Sequence, residues 1–239
     1  MKAMILAAGL GTRLKPFTDK HPKALAEVNG KTILQRNIEY LHSFGFRNVI
    51  INVHHFADQI IKKVKDNNGF GSLVYISDER EEVLETGGGL LKAKWFFEKE
   101  TAPFAVMNVD VLTDLNFQKM YEQHISSQAL ITLAVRDRIT SRYLLFDKDN
   151  LLCGWQNIKT GEKKLSRQND PVYQKAFSGI QIISPGIFHY IKQTGKFSLI
   201  DLYLSISAEQ KILAYDHTAD LFIDVGTPEK LLSAGKIFN

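Results

Sequence analysis

The chain has 239 residues, 44% hydrophobic and 23% charged, with a formal net charge of +4, values that suit one soluble α/β domain over residues 1–239. No apolar stretch approaches the ~20 residues of a membrane span, the apolar run Met4–Ala8 is too short for a signal-peptide core, and the single cysteine, Cys153, excludes an intrachain disulfide; a cytoplasmic location without a membrane partner is expected. Lys2, Arg13, Lys15, Lys20 and Lys23, set against Asp19 and Glu27, concentrate the positive charge in residues 1–30, which points to a small polyanionic substrate rather than to nucleic acid.

Met4–Ala8 reads as a buried strand that runs into Gly9-Leu10-Gly11-Thr12-Arg13. Glycines let backbone N–H groups approach a phosphate. Thr12 adds donors, Arg13 a planar fork and, further on, Lys23 a compact charge. Two better-known phosphate motifs are excluded. Leu14 stands where a dinucleotide fingerprint needs its third glycine, and Leu25 where a Walker A loop ending at Gly30-Lys31-Thr32 needs its first. Ala24–Val28 is a short extended segment before the turn pair Asn29-Gly30. Thr32 caps a helix that runs to about Phe44, with Gly45 as its stop. Val49–Val53 is a strand of the buried parallel kind. Asn52 at its end either ties down a loop or faces a substrate. His54 and His55 lack metal-like spacing and read as structural. A helix over Ala57–Lys65 and a strand over Leu73–Ile76 complete a β-α-β-α-β run, which predicts a layered sheet with right-handed crossovers.

Glu85-Thr86-Gly87-Gly88-Gly89 reads as a glycine turn with exposed N–H groups, before a helix that starts at Leu90-Leu91. Phe104–Met107 is a second buried strand, ending in Asn108-Val109-Asp110. A carboxylate at that place lies where open α/β sheets bind ligands, and Mg²⁺ takes one or two carboxylates plus phosphate oxygens and water; Asp110 is the first candidate metal ligand. Asp114 belongs to the cap region of a helix over Asn116–Gln123. Leu130–Val135 is a strand. Arg136, Asp137, Arg138 and Arg142 form a charged turn, either solvated or in contact with a substrate or a neighbouring subunit. Tyr143–Phe146, Leu151–Trp155 and a hairpin around Thr160-Gly161-Glu162 make the middle β-rich, with Cys153 packed as a thiol within it. Gly179 inside the strand Val172–Ile183 implies close approach by a ligand or by backbone. Pro185 opens a helix at its first position. Ser198 caps Leu199–Gln210, where Asp201 either complements the helix dipole or meets a sugar hydroxyl. The last strands are Lys211–Tyr215 and Ala219–Ile223. The second ends at Asp224, the second candidate metal ligand by pairing with Asp110, and a helix follows to the C-terminus.

Leu6-Ala-Ala-Gly-Leu-Gly-Thr-Arg-Leu-Lys-Pro-Phe-Thr18 with Pro22-Lys23-Ala24-Leu25 resembles the signature of the sugar-1-phosphate nucleotidyltransferases. Glu85-Thr-Gly-Gly-Gly89, Asn108-Val-Asp110, Phe177-Ser-Gly-Ile180 and Asp224-Val-Gly-Thr-Pro228 follow in that family's order and extend the resemblance over nearly the whole chain. The nearest subgroup is the short bacterial one of N-acetylmuramate-1-phosphate uridylyltransferases and heptose- or mannose-1-phosphate guanylyltransferases. The resemblance implies a Rossmann-like α/β/α fold with a central, mostly parallel mixed sheet. It implies transfer of NMP from an NTP, UTP or GTP, to a sugar 1-phosphate with Mg²⁺. Leu6, Ala7, Ala8, Gly9, Gly11, Thr12, Arg13 and Lys23 would hold the nucleotide, with Thr86 and Gly87 reading the base. Asn52, Asn108, Gly179 and Asp201 would face the sugar. Asp110 and Asp224 would hold the metal, and Arg13, Lys23 and Asp110 would be catalytic. Two other outcomes stand beside it: cytidylyl transfer to a non-sugar phosphate such as phosphocholine, and a silent nucleotide-sugar regulator. The Glu-Lys-Pro motif of longer relatives is absent, since Glu162-Lys163 is followed by Lys164, so the acceptor-binding residues stay open.

Overall fold

A computed structural model describes residues 1–169 and 171–238. In chain order the elements are β1 Lys2–Leu6, β2 Glu27–Val28, β3 Lys31–Thr32, α1 Ile33–Ser43, β4 Asn48–Val53, α2 Ala57–Asp66, β5 Leu73–Asp78, α3 Glu85–Lys92, α4 Lys94–Phe97, β6 Phe104–Asn108, β7 Val111–Thr113 and α5 Phe117–Ser127. The second half comprises β8 Ile131–Arg136, β9 Arg142–Phe146, β10 Leu152–Asn157, β11 Lys163–Leu165, β12 Tyr173–Ile183, α6 Leu199–Ile206, β13 Ile212–Asp216, β14 Phe222–Asp224 and α7 Pro228–Ile237.

A ten-stranded mixed sheet runs in the order β11-β10-β9-β12-β6-β1-β4-β5, with β8 joined to β12 and β13 to β8. Strands β5, β4, β1 and β6 are mutually parallel, and β12 meets β6 antiparallel. The parallel strands are apolar on both faces because both faces are covered. Ala3 and Ile5 of β1, Val49 and Ile51 of β4, and Ala105 and Met107 of β6 face one core, shared with α1, α2, α5 and α7. Met4, Ile50, Phe104 and Val106 alternate onto the other, shared with α3, α4 and α6. This is the expected layered α/β architecture. Among the described residues no helix is long and apolar enough to cross a membrane.

Helix starts follow capping chemistry. Thr32, Asn116, Ser198 and Thr227 each accept a backbone N–H from the first turn of α1, α5, α6 and α7. Four local expectations are corrected. Asn116 caps α5, whereas the Asp114 carboxylate accepts from Leu221 N at 2.7 Å and ties the β7 end to the approach to β14. Helix α6 stops at Ile206, short of Gln210, and the segment after Pro185 is a single 3₁₀ turn, Pro185–His189.

The fourth correction concerns α3. It begins at Glu85, so Gly87, Gly88 and Gly89 lie inside the helix and are buried. A Cβ on Gly87 would enter the Phe197 ring, one on Gly88 would overlap Gly195 O, and one on Gly89 would stand 2.9 Å from both Asn52 Nδ2 and Glu79 Oε1. The glycines therefore let α3 press against the 195–197 segment and the end of β4. Helix propensity alone makes Gly→Ala favourable by about 0.8–1 kcal/mol. The overlap outweighs it at Gly88, because its neighbour is backbone and has no alternative rotamer. Gly88→Ala is therefore expected to destabilise the protein by about 1–3 kcal/mol, measured by urea unfolding; a more stable variant would refute this packing account.

Two histidines are buried polar core. His124 bonds Thr132 Oγ1 and Ser184 Oγ, each at 2.9 Å, and His217 Nε2 lies 2.6 Å from Ser178 Oγ. Burial lowers both pKa values from 6.5 to about 4, with Arg136 adding to the effect at His217. Between pH 6.5 and 4 the unfolded chain binds protons that the fold rejects, so stability is intact above this window and falls as pH falls through it. Each imidazole is expected to remove roughly 1.5 kcal/mol between pH 6.5 and pH 5. Unfolding midpoints at the two pH values test this. His124→Gln should flatten the dependence, and an unchanged slope would show that His124 titrates normally in the fold.

Candidate active site

The three central parallel strands end on one rung: Leu6 of β1 stands between its in-register partners Asn52 of β4 and Asn108 of β6. Polar groups first appear at this rung because the strands below it are buried on both faces. Beyond it lies a cavity of about 410 Å³, lined by Leu6, Ala8, Gly9, Lys23, Asn52, Glu85, Thr86, Asn108, Asp110 and Ser198 among others.

The glycine loop folds back on the Lys23 segment. Gly11 has a left-handed backbone, φ 64°, and a Cβ there would stand 2.9 Å from Lys23 Cβ and Thr18 Cγ2. Its carbonyl accepts from Thr18 Oγ1 at 3.0 Å and Leu14 N at 2.8 Å. A Cβ on Gly9 would meet nothing, so that position is open on the cavity side. Thr12 and Arg13 are exposed, and the Arg13 guanidinium lies against Gly226: a Cβ on Gly226 would stand 2.7 Å from both Arg13 Nη2 and Asp224 Oδ1. The fold thus brings Arg13 to Asp224 across more than two hundred positions of chain.

Asn52, 2% exposed, uses both ends of its amide. Its Oδ1 accepts from Ala7 N at 2.6 Å and its Nδ2 donates to Glu79 Oε1 at 2.8 Å. This anchors the start of the glycine loop, and the residue also borders the cavity. Glu79 is fully buried and burial raises its pKa, which favours the neutral acid. The sequence reading passed over Glu79. Its signal was one acid in the run Asp78-Glu79-Arg80-Glu81-Glu82, where nothing local separates it from its neighbours.

Asp110 leaves the β6 end and its Oδ2 is ion-paired with Lys23 Nζ, the two side chains being 16% and 12% exposed. The Asp110 carbonyl accepts from Val225 N at 2.8 Å, and Asp224 pairs in register with Val111. The two-stranded β7–β14 ribbon therefore sets both carboxylates at one end of the sheet. Asp224 Oδ1 accepts from Gly226 N at 2.8 Å, and its Oδ2 lies 3.7 Å from Lys230 Nζ. No group of three or more His, Cys, Asp or Glu is placed to hold a metal ion among the described residues. A metal held here would have two protein carboxylates and take its other ligands from phosphate and water, which suits Mg²⁺.

The remaining candidates divide. Gly179, φ 75°, sits where the β12 register slips against β8, and a Cβ on it would stand 2.7 Å from Asn108 Nδ2. What approaches it is thus a side chain, not backbone, and Gly179 shapes the site by seating Asn108. Thr86 borders the cavity, and its Oγ1 accepts from Leu199 N at 3.0 Å. The Gly87 N–H, expected free to read a base, donates to Phe197 O at 2.9 Å. Asp201 is exposed and lies outside the first cavity, 3.4 Å from Lys164 Nζ. It lines a second cavity of about 610 Å³, which also includes Arg138, Arg142, Tyr143, Trp155 and Lys164. Glu85 and Ser198 line both cavities. Glu85 has φ 58°, a left-handed conformation that disfavours a side chain, at the dividing wall. Arg138, Arg142 and Asp201 are candidates in the sequence, but that they share one cavity with Tyr143, Trp155 and Lys164 depends on strand register, which alternating Arg, Tyr and Trp residues do not reveal by themselves.

Asn52→Ala would strand the Ala7 N–H and remove a donor from Glu79. The expected cost is about 2–3 kcal/mol, since each unsatisfied buried polar group costs about 1–3 kcal/mol. Chemical unfolding checks it, and a loss under about 0.5 kcal/mol would show that water replaces the amide.

The pattern of the family described as Nucleotidyl transferase matches residues 2–238. The chain is 30% identical over 243 residues to the N-acetylmuramate alpha-1-phosphate uridylyltransferase of Caulobacter vibrioides, covering 97% of this chain and 94% of that protein. It is 27% identical over 235 residues to the mannose-1-phosphate guanylyltransferase catalytic subunit beta of Drosophila pseudoobscura pseudoobscura, covering 97% of this chain but only 61% of that protein's length. Among solved structures, HddC from Yersinia pseudotuberculosis aligns with a TM-score of 0.80 at 27% identity, over 100% of this chain and 99% of that one, and HddC has also been solved complexed with GMP-PN. The chain belongs to the nucleotidyl transferase family, in its sugar-1-phosphate nucleotidyltransferase branch.

Proposed function

We propose that the protein transfers NMP from an NTP, with UTP or GTP as the donor, to a sugar 1-phosphate, giving an NDP-sugar and pyrophosphate. The observation that carries this reading is the layout at the strand ends. A glycine loop, Lys23 and Asp110 border one cavity, and a second cavity opens beside it across Glu85 and Ser198. Two adjoining compartments suit a reaction that joins two bound substrates. The named relatives act on UTP- or GTP-derived nucleotides and on sugar phosphates, which supports the choice of donor and acceptor.

In this mechanism the N–H groups of the Gly9–Thr12 loop and the Arg13 guanidinium hold the β- and γ-phosphates. Lys23 leaves Asp110 for the α-phosphate and lowers the charge that an anionic nucleophile must approach. The acceptor's phosphate oxygen is already deprotonated at neutral pH, so no general base is needed. It forms a bond to the α-phosphorus as the bond to the bridging oxygen breaks, and pyrophosphate leaves with that electron pair. Catalysis then consists of positioning and charge neutralisation. Asp110 and Asp224 would hold Mg²⁺, which when bound supplies neutralisation of the phosphate oxygens. Asn108, seated by Gly179, and Asn52 border the nucleotide side toward the acceptor.

Pyrophosphate release should be seen with Mg²⁺ for one NTP and one sugar 1-phosphate out of a panel of four NTPs and several acceptors, phosphocholine included. Asp110→Asn should lower kcat by roughly 10²–10³-fold with the fold retained, the scale of losing one charge-stabilising group. Full activity in Asp110→Asn would overturn the assignment of Asp110, and release with phosphocholine alone would overturn the sugar acceptor.

A further inference from the structure

The second cavity is walled by one face of the antiparallel half of the sheet. Leu144 of β9 is opposite Trp155 of β10, and Trp155 is opposite Lys164 of β11. Residues directly opposite share a face, as do residues two apart on one strand. Arg142, Leu144, Trp155 and Lys164 therefore stand on one surface, and all four line the cavity. Asp201 of α6 also lines the cavity, beside Lys164.

The charges in this cavity are not balanced. Its two acids already have lysine partners: Asp201 lies 3.4 Å from Lys164 Nζ, and Glu85 lies 3.6 Å from Lys196 Nζ. Arg138 Nη2 donates to Phe177 O at 3.1 Å, whereas its Nε–H is buried without a hydrogen-bond partner. The Arg142 guanidinium has no ion-pair partner among the described residues, although its backbone N–H is bonded to Thr140 Oγ1. A neutral sugar laid over the exposed Arg142 would return hydroxyl hydrogen bonds but no opposite charge, and a carboxylate would return both. The acceptor's reacting phosphate does not answer this excess, because it must reach Lys23 and Asp110. Neither Arg142 nor Lys164 borders that compartment.

We propose that the second cavity is built for an acidic acceptor, a sugar 1-phosphate that carries a carboxylate held by Arg142 and Lys164. This rests on the transferase reading above and narrows its substrate class. Arg142 is a specificity-determining residue, since its unpaired charge attracts acidic acceptors and gives neutral ones no such gain. Binding of the carboxylate draws Lys164 away from Asp201 and from Glu162, 3.6 Å from its Nζ, and both exposed acids are then met by water.

Two matched acceptor pairs test it: glucose 1-phosphate against glucuronic acid 1-phosphate, and N-acetylglucosamine 1-phosphate against N-acetylmuramic acid 1-phosphate. Dissociation constants are measured by calorimetry, and pyrophosphate release by a coupled assay, on the full chain. In at least one pair the acidic member should bind roughly tenfold or more tightly, the scale of a charge-assisted contact. Arg142→Gln should collapse that ratio to within about twofold, and Lys65→Gln, an exposed lysine on α2, should preserve it. Equal or tighter binding of the neutral member in both pairs overturns the proposal. So does an Arg142→Gln variant that weakens both members of a pair by the same factor. Pyrophosphate release with neutral acceptors only would overturn the acidic-acceptor inference and leave the transferase reading standing; no release with any acceptor would overturn both.

Discussion

A parallel strand buried on both faces has nowhere to put a polar side chain except at its end. Strands β1, β4 and β6 obey this constraint together. Their apolar residues alternate between two cores, and the first polar positions, Asn52, Asn108 and then Asp110, emerge at one edge. The site is thus a consequence of how the sheet is covered. The glycine loop continues from the same edge, because the strand that carries it is held in register between the other two. Asn52 makes the register functional: it fixes the first loop N–H, that of Ala7, while its other end is secured by Glu79.

The charges at this edge are paired with one another. Lys23 rests on Asp110, and Lys230 stands near Asp224. A half-buried lysine and carboxylate left alone would each bear a desolvation cost, and pairing offsets it. In the proposed reaction the same pairing would keep both groups poised, since an incoming phosphate would replace the partner of the lysine and a cation the partner of the carboxylate. Substrate binding would then exchange ion pairs without creating new buried charge. The β7–β14 ribbon is what brings Asp224 to this edge, because Val225 N and the Asp110 carbonyl lock the two chain segments together.

The glycines show how one residue type serves opposite needs. Gly11 supplies a left-handed turn, Gly179 a cleared space for Asn108, and Gly87 to Gly89 a flat helix face. In the linear sequence the last three look like a loop, because helix propensity disfavours glycine. Close packing against Phe197, Gly195 and Glu79 reverses that preference. A helix with no side chains on one side can approach backbone at a distance that no other residue permits.

The sequence by itself determined the layered α/β architecture, the strand-end position of the glycine loop, and the acids at the ends of two apolar runs. These are local in kind: periodicity, capping residues such as Thr32 and Ser198, and the abrupt change from apolar to glycine or acid each occupy a few consecutive residues. Only the tertiary structure decided which distant residues share a site. The juxtaposition of Arg13 with Asp224, the burial of Glu79 beneath Asn52, the helical state of Gly87–Gly89 and the basic wall of the second cavity all depend on register and packing between segments far apart in the chain. No local pattern encodes a register between strands such as β9, β10 and β11, because the same alternating residues fit either face until the rest of the fold buries one of them.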